Sequence, residues 1–158
     1  MSTDQVVLPE VKHYLVVCLG NICRSPIGEG WLRHAAMVRG CRVKVDSAGT
    51  SGYHSGDAPD RRSVAAMRAV GIDISGQRSR KFVRGDFAKF DRILVMDRAN
   101  LRDVLDMART AEEESKVALF DPAGLEVPDP YYGGEDGFSE VREQVRQAAE
   151  VWLDRDFG

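Results

Sequence analysis

The stretch Tyr14–Pro26, YLVVCLGNICRSP, limits the fold more than any other part of the chain. From Tyr14 to Cys18 every side chain is aromatic, β-branched or otherwise apolar, and Gly20 bounds the run. Such a run reads as a strand buried on both faces, as in a parallel sheet. A helix start follows at once. Pro26 suits a first helical turn, where its missing N–H costs nothing. Ile27, Trp31, Ala35 and Val38 then recur at helical spacing, and Gly40 can close the helix in a left-handed cap.

The same alternation continues along the chain. A second strand is predicted over Arg42–Ser47. Asp60 is placed to cap a helix through Val70, with Val64, Met67 and Ala69 partly buried and Gly71 as the stop. RILVM at Arg92–Met96 reads as a third buried strand, Asn100–Arg109 as a helix, and Lys116–Phe120 as a short fourth strand. The Pro-, Gly- and Asp-rich segment Asp121–Gly137 reads as a loop. Phe138–Leu153 is predicted as a long amphipathic helix with Val141, Val145, Ala148 and Trp152 on one face. The expectation is an α/β fold: a single domain over residues 13–158, with a four-stranded parallel sheet flanked by helices on both faces, after an N-terminal extension over residues 1–12. Ligands of such sheets bind at the carboxyl ends of the strands, which is where Cys18 ends the first one.

Composition narrows the function. Net charge is −3, which argues against nucleic-acid binding and membrane binding. No apolar run reaches bilayer-spanning length, and the start MSTDQVVLPEVK lacks the basic and long apolar regions of a signal peptide. A cytoplasmic location is expected. The three cysteines, Cys18, Cys23 and Cys41, do not form a disulfide framework or complete a tetrahedral metal site, so no metal is expected.

The opening stretch has the parts of an anion site. Gly20 and Asn21 tolerate the left-handed backbone that turns successive N–H groups inward. The helix that follows adds its positive end and unsatisfied donors. Arg24 brings a planar, always charged fork that matches two phosphate oxygens. Cys18 lies at the floor of that nest, and the surroundings that hold a phosphate dianion also favour the reactive thiolate. In-line attack of that sulfur on phosphorus gives a phosphocysteine. The loop N–H groups of Leu19 through Ser25 and the Arg24 guanidinium stabilise the equatorial oxygens. The Ser25 hydroxyl is placed to hydrogen-bond the sulfur and improve it as a leaving group. The reaction also needs an acid for the leaving group and a base for water. Asp129, between two prolines in VPDPYYGG, is the candidate for both, with Tyr131 and Tyr132 as walls for an aromatic ring.

These residues resemble the low-molecular-weight protein tyrosine phosphatases. The spacing Cys18-(x)5-Arg24-Ser25, with Gly20, Asn21, Cys23 and Pro26, is similar to that family's phosphate loop. Asp129-Pro130-Tyr131-Tyr132 is similar to its acid loop, and DSAGTSGYH (Asp46–His54) and VMDRANLRD (Val95–Asp103) match two further segments, so the similarity covers about residues 13–155. The resemblance implies no cofactor, a phosphotyrosine-containing protein or peptide as partner, Cys18 as nucleophile, Arg24 as phosphate clamp and Asp129 as acid then base. By the same likeness Leu19, Gly20, Asn21, Ile22, Cys23 and Ser25 complete the phosphate loop. Asn21 holds its shape with Ser47 as partner, Leu19, Tyr53, Tyr131 and Tyr132 line the cleft, and Asp97 is a carboxylate near the loop. A monomer is the default expectation. The chain has Val70 where many members have histidine before the Gly71-Ile72 pair, which predicts a smaller hydrogen-bond network behind the loop.

Some readings stay open at this level. Cys23 either packs in the first helical turn or forms a reversible disulfide with oxidised Cys18, the use that the resemblance favours. Cys41 reads as filler, and His13, His34 and His54 as surface or capping residues. Arg78, Arg80, Lys81 and Arg84 read as a solvated basic face, and EEES at Glu112–Ser115 as a solvated loop. Two other reactions share the scaffold. A protein-arginine phosphatase would carry threonine where this chain has Ile22. A thiol-coupled arsenate reductase would need further cysteines beyond Cys41, and the chain has none.

Overall fold

Alternate side chains of the first strand enter two separate cores, and this fixes the layering of the molecule. In the computed structural model, which describes residues 11–158, β1 (Lys12–Cys18) sends Tyr14, Val16 and Cys18 into one apolar cluster and Leu15 and Val17 into another. On the first face lie α1 (Arg24–Arg39), α2 (Arg61–Arg68) and α6 (Glu135–Phe157), which contribute Ile27, Trp31, Leu32, Met67, Val141, Val145 and Trp152. On the second lie α3 (Asp86–Lys89) and α4 (Arg98–Met107), with Phe87 and Val104. The sheet is β2 (Val43–Gly49), β1, β3 (Arg92–Val95) and β4 (Val117–Leu119) in that order, and each adjacent pair is parallel. The fold is therefore the expected single-domain, four-stranded parallel sheet with helices on both faces.

Several boundaries differ from the sequence expectation for local reasons. Of the extension expected over residues 1–12, residues 1–10 lie outside the described residues, and Lys12 already pairs with Val43 in β1. Strand β2 runs on to Gly49, which pairs with Cys18. Helix α1 begins at Arg24, which keeps Pro26 in the first turn as expected. The EEES segment is not a loop but the body of α5 (Ala111–Ser115). Thr110 caps it by accepting from the Glu113 N–H, while Glu113 accepts from the Arg109 N–H, and its three glutamates stand at the positive helix end. The basic cluster is a solvated face only at Arg78 and Lys81, which are exposed. Arg80 bonds Asp46 and both oxygens of the buried Asp86, and Arg84 bonds Glu113.

Order reverses at β1, which has β2 on one side and β3 on the other. The loops after β1, β3 and β4 meet at the carboxyl edge around that point, the place where sheets of this kind hold ligands. The far end is closed by the last turn of α6. Asp156 accepts from the Tyr14 hydroxyl at 2.5 Å and from Arg92 at 2.7 and 2.5 Å, and Arg92 also stacks on Trp152.

Burial alone would push the Asp156 carboxyl up, but the hydrogen bonds from Arg92 and Tyr14 outweigh it and hold it below the ordinary aspartate value. A carboxylate whose folded pKa is depressed contributes stability above its unfolded value, near pH 4, and that contribution is lost as pH falls through the folded value. Asp156→Asn is expected to lower stability near neutral pH by about 1.5–3 kcal/mol. It should also flatten the loss of stability as pH falls below about 4. Urea melts of both proteins across that range check it; parallel stability curves would contradict the assignment.

Candidate active site

The loop between β1 and α1 is held from outside by its carbonyls. The Cys18 and Leu19 carbonyls accept from the Thr50 and Ser51 N–H groups, and that of Ile22 accepts from the Asp60 N–H at 2.8 Å. Those of Gly20 and Cys23 accept from the Ser79 and Ser63 hydroxyls. In a trans peptide the N–H points opposite to the C=O of the same unit. With five carbonyls turned outward, the N–H groups of Leu19, Gly20, Asn21, Cys23 and Arg24 turn inward. Helix α1 adds its first-turn donors, with no side chain capping them and no acidic residue in the first turn.

Asn21 makes this turn possible. It is the non-glycine residue with a left-handed backbone among the described residues, at φ 58°. Its amide is locked in one orientation, because Oδ1 accepts the Arg80 N–H at 3.0 Å. Its Nδ2 therefore donates twice, to Ser25 Oγ at 2.8 Å and to Ser47 Oγ at 2.9 Å. Ser47 donates its hydroxyl hydrogen to Glu29 Oε1 at 2.7 Å, and Arg33 donates to the other Glu29 oxygen. Burial raises the Glu29 carboxyl above its ordinary value, against the pull of Ser47 and Arg33. Ser25 Oγ already accepts from Asn21, so its hydroxyl hydrogen is free to point at Cys18 Sγ, 3.0 Å away. The Asn21 N–H reaches the same sulfur at 3.3 Å. Cys18 Sγ thus receives two donors at the floor of the nest, an arrangement suited to a sulfur anion.

Arg24 enters from the start of α1, with its side chain 3% exposed. Its Nη1 donates to Asp97 Oδ2 at 2.7 Å and to the Val127 carbonyl at 3.0 Å, while Nη2 faces Asp129 Oδ2 at 3.7 Å. Burial works against its charge, but Cys18, Asp97 and Asp129 together keep its pKa above the ordinary value. Asp97 is itself anchored, because its other oxygen caps α4 through the Asn100 N–H. Asp129 lies on the β4–α6 loop, where its Oδ1 accepts the Tyr131 N–H at 3.0 Å.

Cys18, Leu19, Gly20, Ile22, Cys23, Arg24, Tyr53, Asp129, Tyr131 and Tyr132 line a single cleft of about 250 Å³. Tyr53 and Tyr132 stand almost fully exposed at its rim, and Tyr131 packs edge-on against Tyr132 with ring centroids 4.9 Å apart. The dimensions suit an aryl group leading down to an anion on the floor. Asn21, Ser25, Ser47 and Asp97 lie behind the loop or beside Arg24. Cys23 is buried, and its thiol is pushed up to about 12, first by burial and then by the charge of Asp60. Among the described residues, no three His, Cys, Asp or Glu side chains gather where they could share a metal ion, and no helix is long and apolar enough to cross a membrane.

Other participants were not legible in the sequence. His54 and Ser51 line the cleft; the serine-rich loop around them gives no periodic signal. Glu29 and Arg80 complete the Asn21 network from a helix and a loop far apart in sequence. Val70, whose identity predicted a smaller network, is 40% exposed at the end of α2, and the three bonds of the Asn21 side chain form without it.

Comparison with known proteins agrees with this geometry. The family model for low molecular weight phosphotyrosine protein phosphatase matches residues 13–156. A putative low molecular weight protein-tyrosine-phosphatase from Synechocystis is 43% identical over 85% of this chain and 89% of its own. The human low molecular weight phosphotyrosine protein phosphatase is 39% identical over 91% of this chain and 95% of its own. Among solved structures, a protein tyrosine phosphatase from Entamoeba histolytica with Hepes in the active site superposes with a TM-score of 0.86, at 34% identity, covering 91% of this chain and 96% of that one. On sequence and fold alike, the chain belongs to the low molecular weight phosphotyrosine protein phosphatase family.

Proposed function

We propose that the protein hydrolyses phosphotyrosine in proteins or peptides, and other aryl phosphate monoesters, through a phosphocysteine on Cys18. The observation that supports this best is the outward anchoring of five loop carbonyls, which aims the N–H groups at the space above the Cys18 sulfur. A phosphate dianion entering there meets those donors and the Arg24 guanidinium, and the sulfur lies below its phosphorus.

The reaction has two steps. In the first, a sulfur lone pair forms the S–P bond while the P–O bond to the aryl group breaks. Asp129 gives its proton to the departing phenolate oxygen. The near-planar PO₃ group in transit is stabilised by the loop N–H groups and by Arg24, held in place by Asp97 and the Val127 carbonyl. In the second step Asp129, now a carboxylate, takes a proton from water as the water oxygen bonds phosphorus and the P–S bond breaks. The Ser25 hydroxyl, 3.0 Å from Sγ, stabilises the returning thiolate. Inorganic phosphate leaves, and no metal takes part in either step. The exposed tyrosines at the rim bracket the substrate ring.

The redox role of Cys23 rests on its place in the same cleft as Cys18, and its raised pKa slows that use, because the thiolate is the attacking form. Oxidation of Cys18 by peroxide gives a sulfenic acid and water. Attack by the Cys23 sulfur then forms the disulfide and releases a second water, which stops the ladder before irreversible acids.

Three measurements test this reading. Without added metal, the wild type should hydrolyse an aryl phosphate, Cys18→Ser should be inactive, and Asp129→Asn should fall by roughly 10²–10⁴. Full activity in Cys18→Ser would overturn the mechanism. Ile22, which lines the cleft, should make the enzyme prefer phosphotyrosine over phosphoarginine peptides; the reverse preference would reassign it as an arginine phosphatase. After peroxide treatment, a thiol reductant should restore wild-type activity but not that of Cys23→Ser; equal recovery in both would remove Cys23 from the redox role.

A further inference from the structure

The first turn of α2 touches both halves of the cleft. Through its backbone, the Asp60 N–H donates to the Ile22 carbonyl of the phosphate loop at 2.8 Å. Through its carboxylate, Asp60 grips Arg62: Oδ1 accepts from Nε at 3.0 Å and Oδ2 from Nη2 at 3.0 Å. This bidentate pair leaves the far side of the guanidinium to face the loop that follows Asp129. There Nη2 donates to the Tyr131 carbonyl at 2.8 Å and Nη1 to the Gly133 carbonyl at 3.2 Å. The plane also packs over two rings, with its carbon 4.6 Å from the centroid of Phe138 and 5.5 Å from that of Tyr131.

The segment held in this way is short and directly joined to Asp129. Its turn is closed by the Gly133 N–H to the Pro130 carbonyl, and Asp129 Oδ1 accepts the Tyr131 N–H. The peptide units around Tyr131 therefore set the direction of the Asp129 carboxylate, and Arg62 fixes those units against α2. Pro128 and Pro130 stiffen the backbone but supply no N–H to tie it down. Among the described residues, the bonds from Arg62 are the side-chain hydrogen bonds that reach the carbonyls of this turn from another element.

We propose that Arg62 is a positioning residue: with Asp60, it forms a strut from the phosphate loop to the acid loop and holds the Asp129 carboxyl at the height of the leaving oxygen. The proposal rests on Asp129 being the general acid. A displacement of an acid by about 1 Å can cost roughly 10²-fold, and the cost appears only where the leaving group needs a proton. Phosphotyrosine loses a strongly basic phenolate and needs it; nitrophenyl phosphate loses a weakly basic one and needs it far less.

The test measures kcat/KM on both substrates for Arg62→Ala and Arg62→Gln, each alone and combined with Asp129→Asn. Arg62→Ala should lose about 10–10²-fold on the phosphotyrosine substrate and less than about threefold on nitrophenyl phosphate. Arg62→Gln, which keeps a donor, should fall between wild type and alanine, and it carries the same comparison if the alanine variant fails to fold. In the Asp129→Asn background neither change should cause a further selective loss, because the strut acts through the acid. Equal losses on both substrates, or full additivity with Asp129→Asn, would overturn the strut. An effect of Asp129→Asn with none from either Arg62 variant would sink the strut alone. Unchanged phosphotyrosine turnover in Asp129→Asn would remove the acid assignment and the strut together.

Discussion

The side-chain amide of Asn21 is the constraint on which the rest of the site depends. Its oxygen is fixed by a backbone N–H from the Arg80 segment, so its two hydrogens have only one way to point. One goes to Ser25 and the other to Ser47. Each serine then has its own hydrogen to give, Ser25 to the Cys18 sulfur and Ser47 to the buried Glu29. A chain of hydrogen bonds that ends on the Glu29–Arg33 pair thus sets the polarity around the sulfur. The same residue adopts the left-handed backbone that turns the loop. Backbone shape and proton direction are therefore fixed by one side chain, and the low-dielectric surroundings make each of its bonds costly to leave unmade.

The fold brings these parts together because β1 lies inside the sheet. Parallel neighbours on both sides place the ends of β2 and β3 next to Cys18. From the loop after β2 come the Thr50 and Ser51 N–H groups that hold the Cys18 and Leu19 carbonyls. From the end of β3 comes Asp97, which holds Arg24 while capping α4. The Asp129 loop follows β4 and reaches over the cleft, where Arg24 faces Asp129 on one side and Arg62 bonds the turn on the other. Arg24 keeps one nitrogen engaged with the scaffold and turns another towards the cleft, so it is preorganised for an oxyanion and loses little freedom when one arrives.

Much of this was legible in the residues, and the parts that were not have common causes. Tyr14–Cys18 announced a doubly buried strand because every position is apolar, and Asp60 announced its helix because a capping carboxylate precedes a periodic run. Cys18, Arg24 and Ser25 are local in sequence, so their spacing alone placed them around one loop. The helix α5 was missed although Thr110 and Glu113 have capping-box spacing, because three consecutive glutamates suggested solvent. Arg80 was missed for a different reason: its partners Asp46 and Asp86 come from separate segments, and nothing local marks a guanidinium as paired. Arg62, Glu29 and His54 belong with it. Each acts across a tertiary contact, with no period or spacing to give it away. Val70 is exposed just past the end of α2 and takes no part in the bonds of the Asn21 side chain.

The most direct measurement is to stop the reaction with acid during turnover of an aryl phosphate and map the phosphorus by peptide mass spectrometry. The account predicts one added PO₃ group, bonded to sulfur, on the peptide that contains Cys18. A phosphoryl group on any other side chain, or turnover with no covalent phosphorus on the protein at any time point, would contradict it.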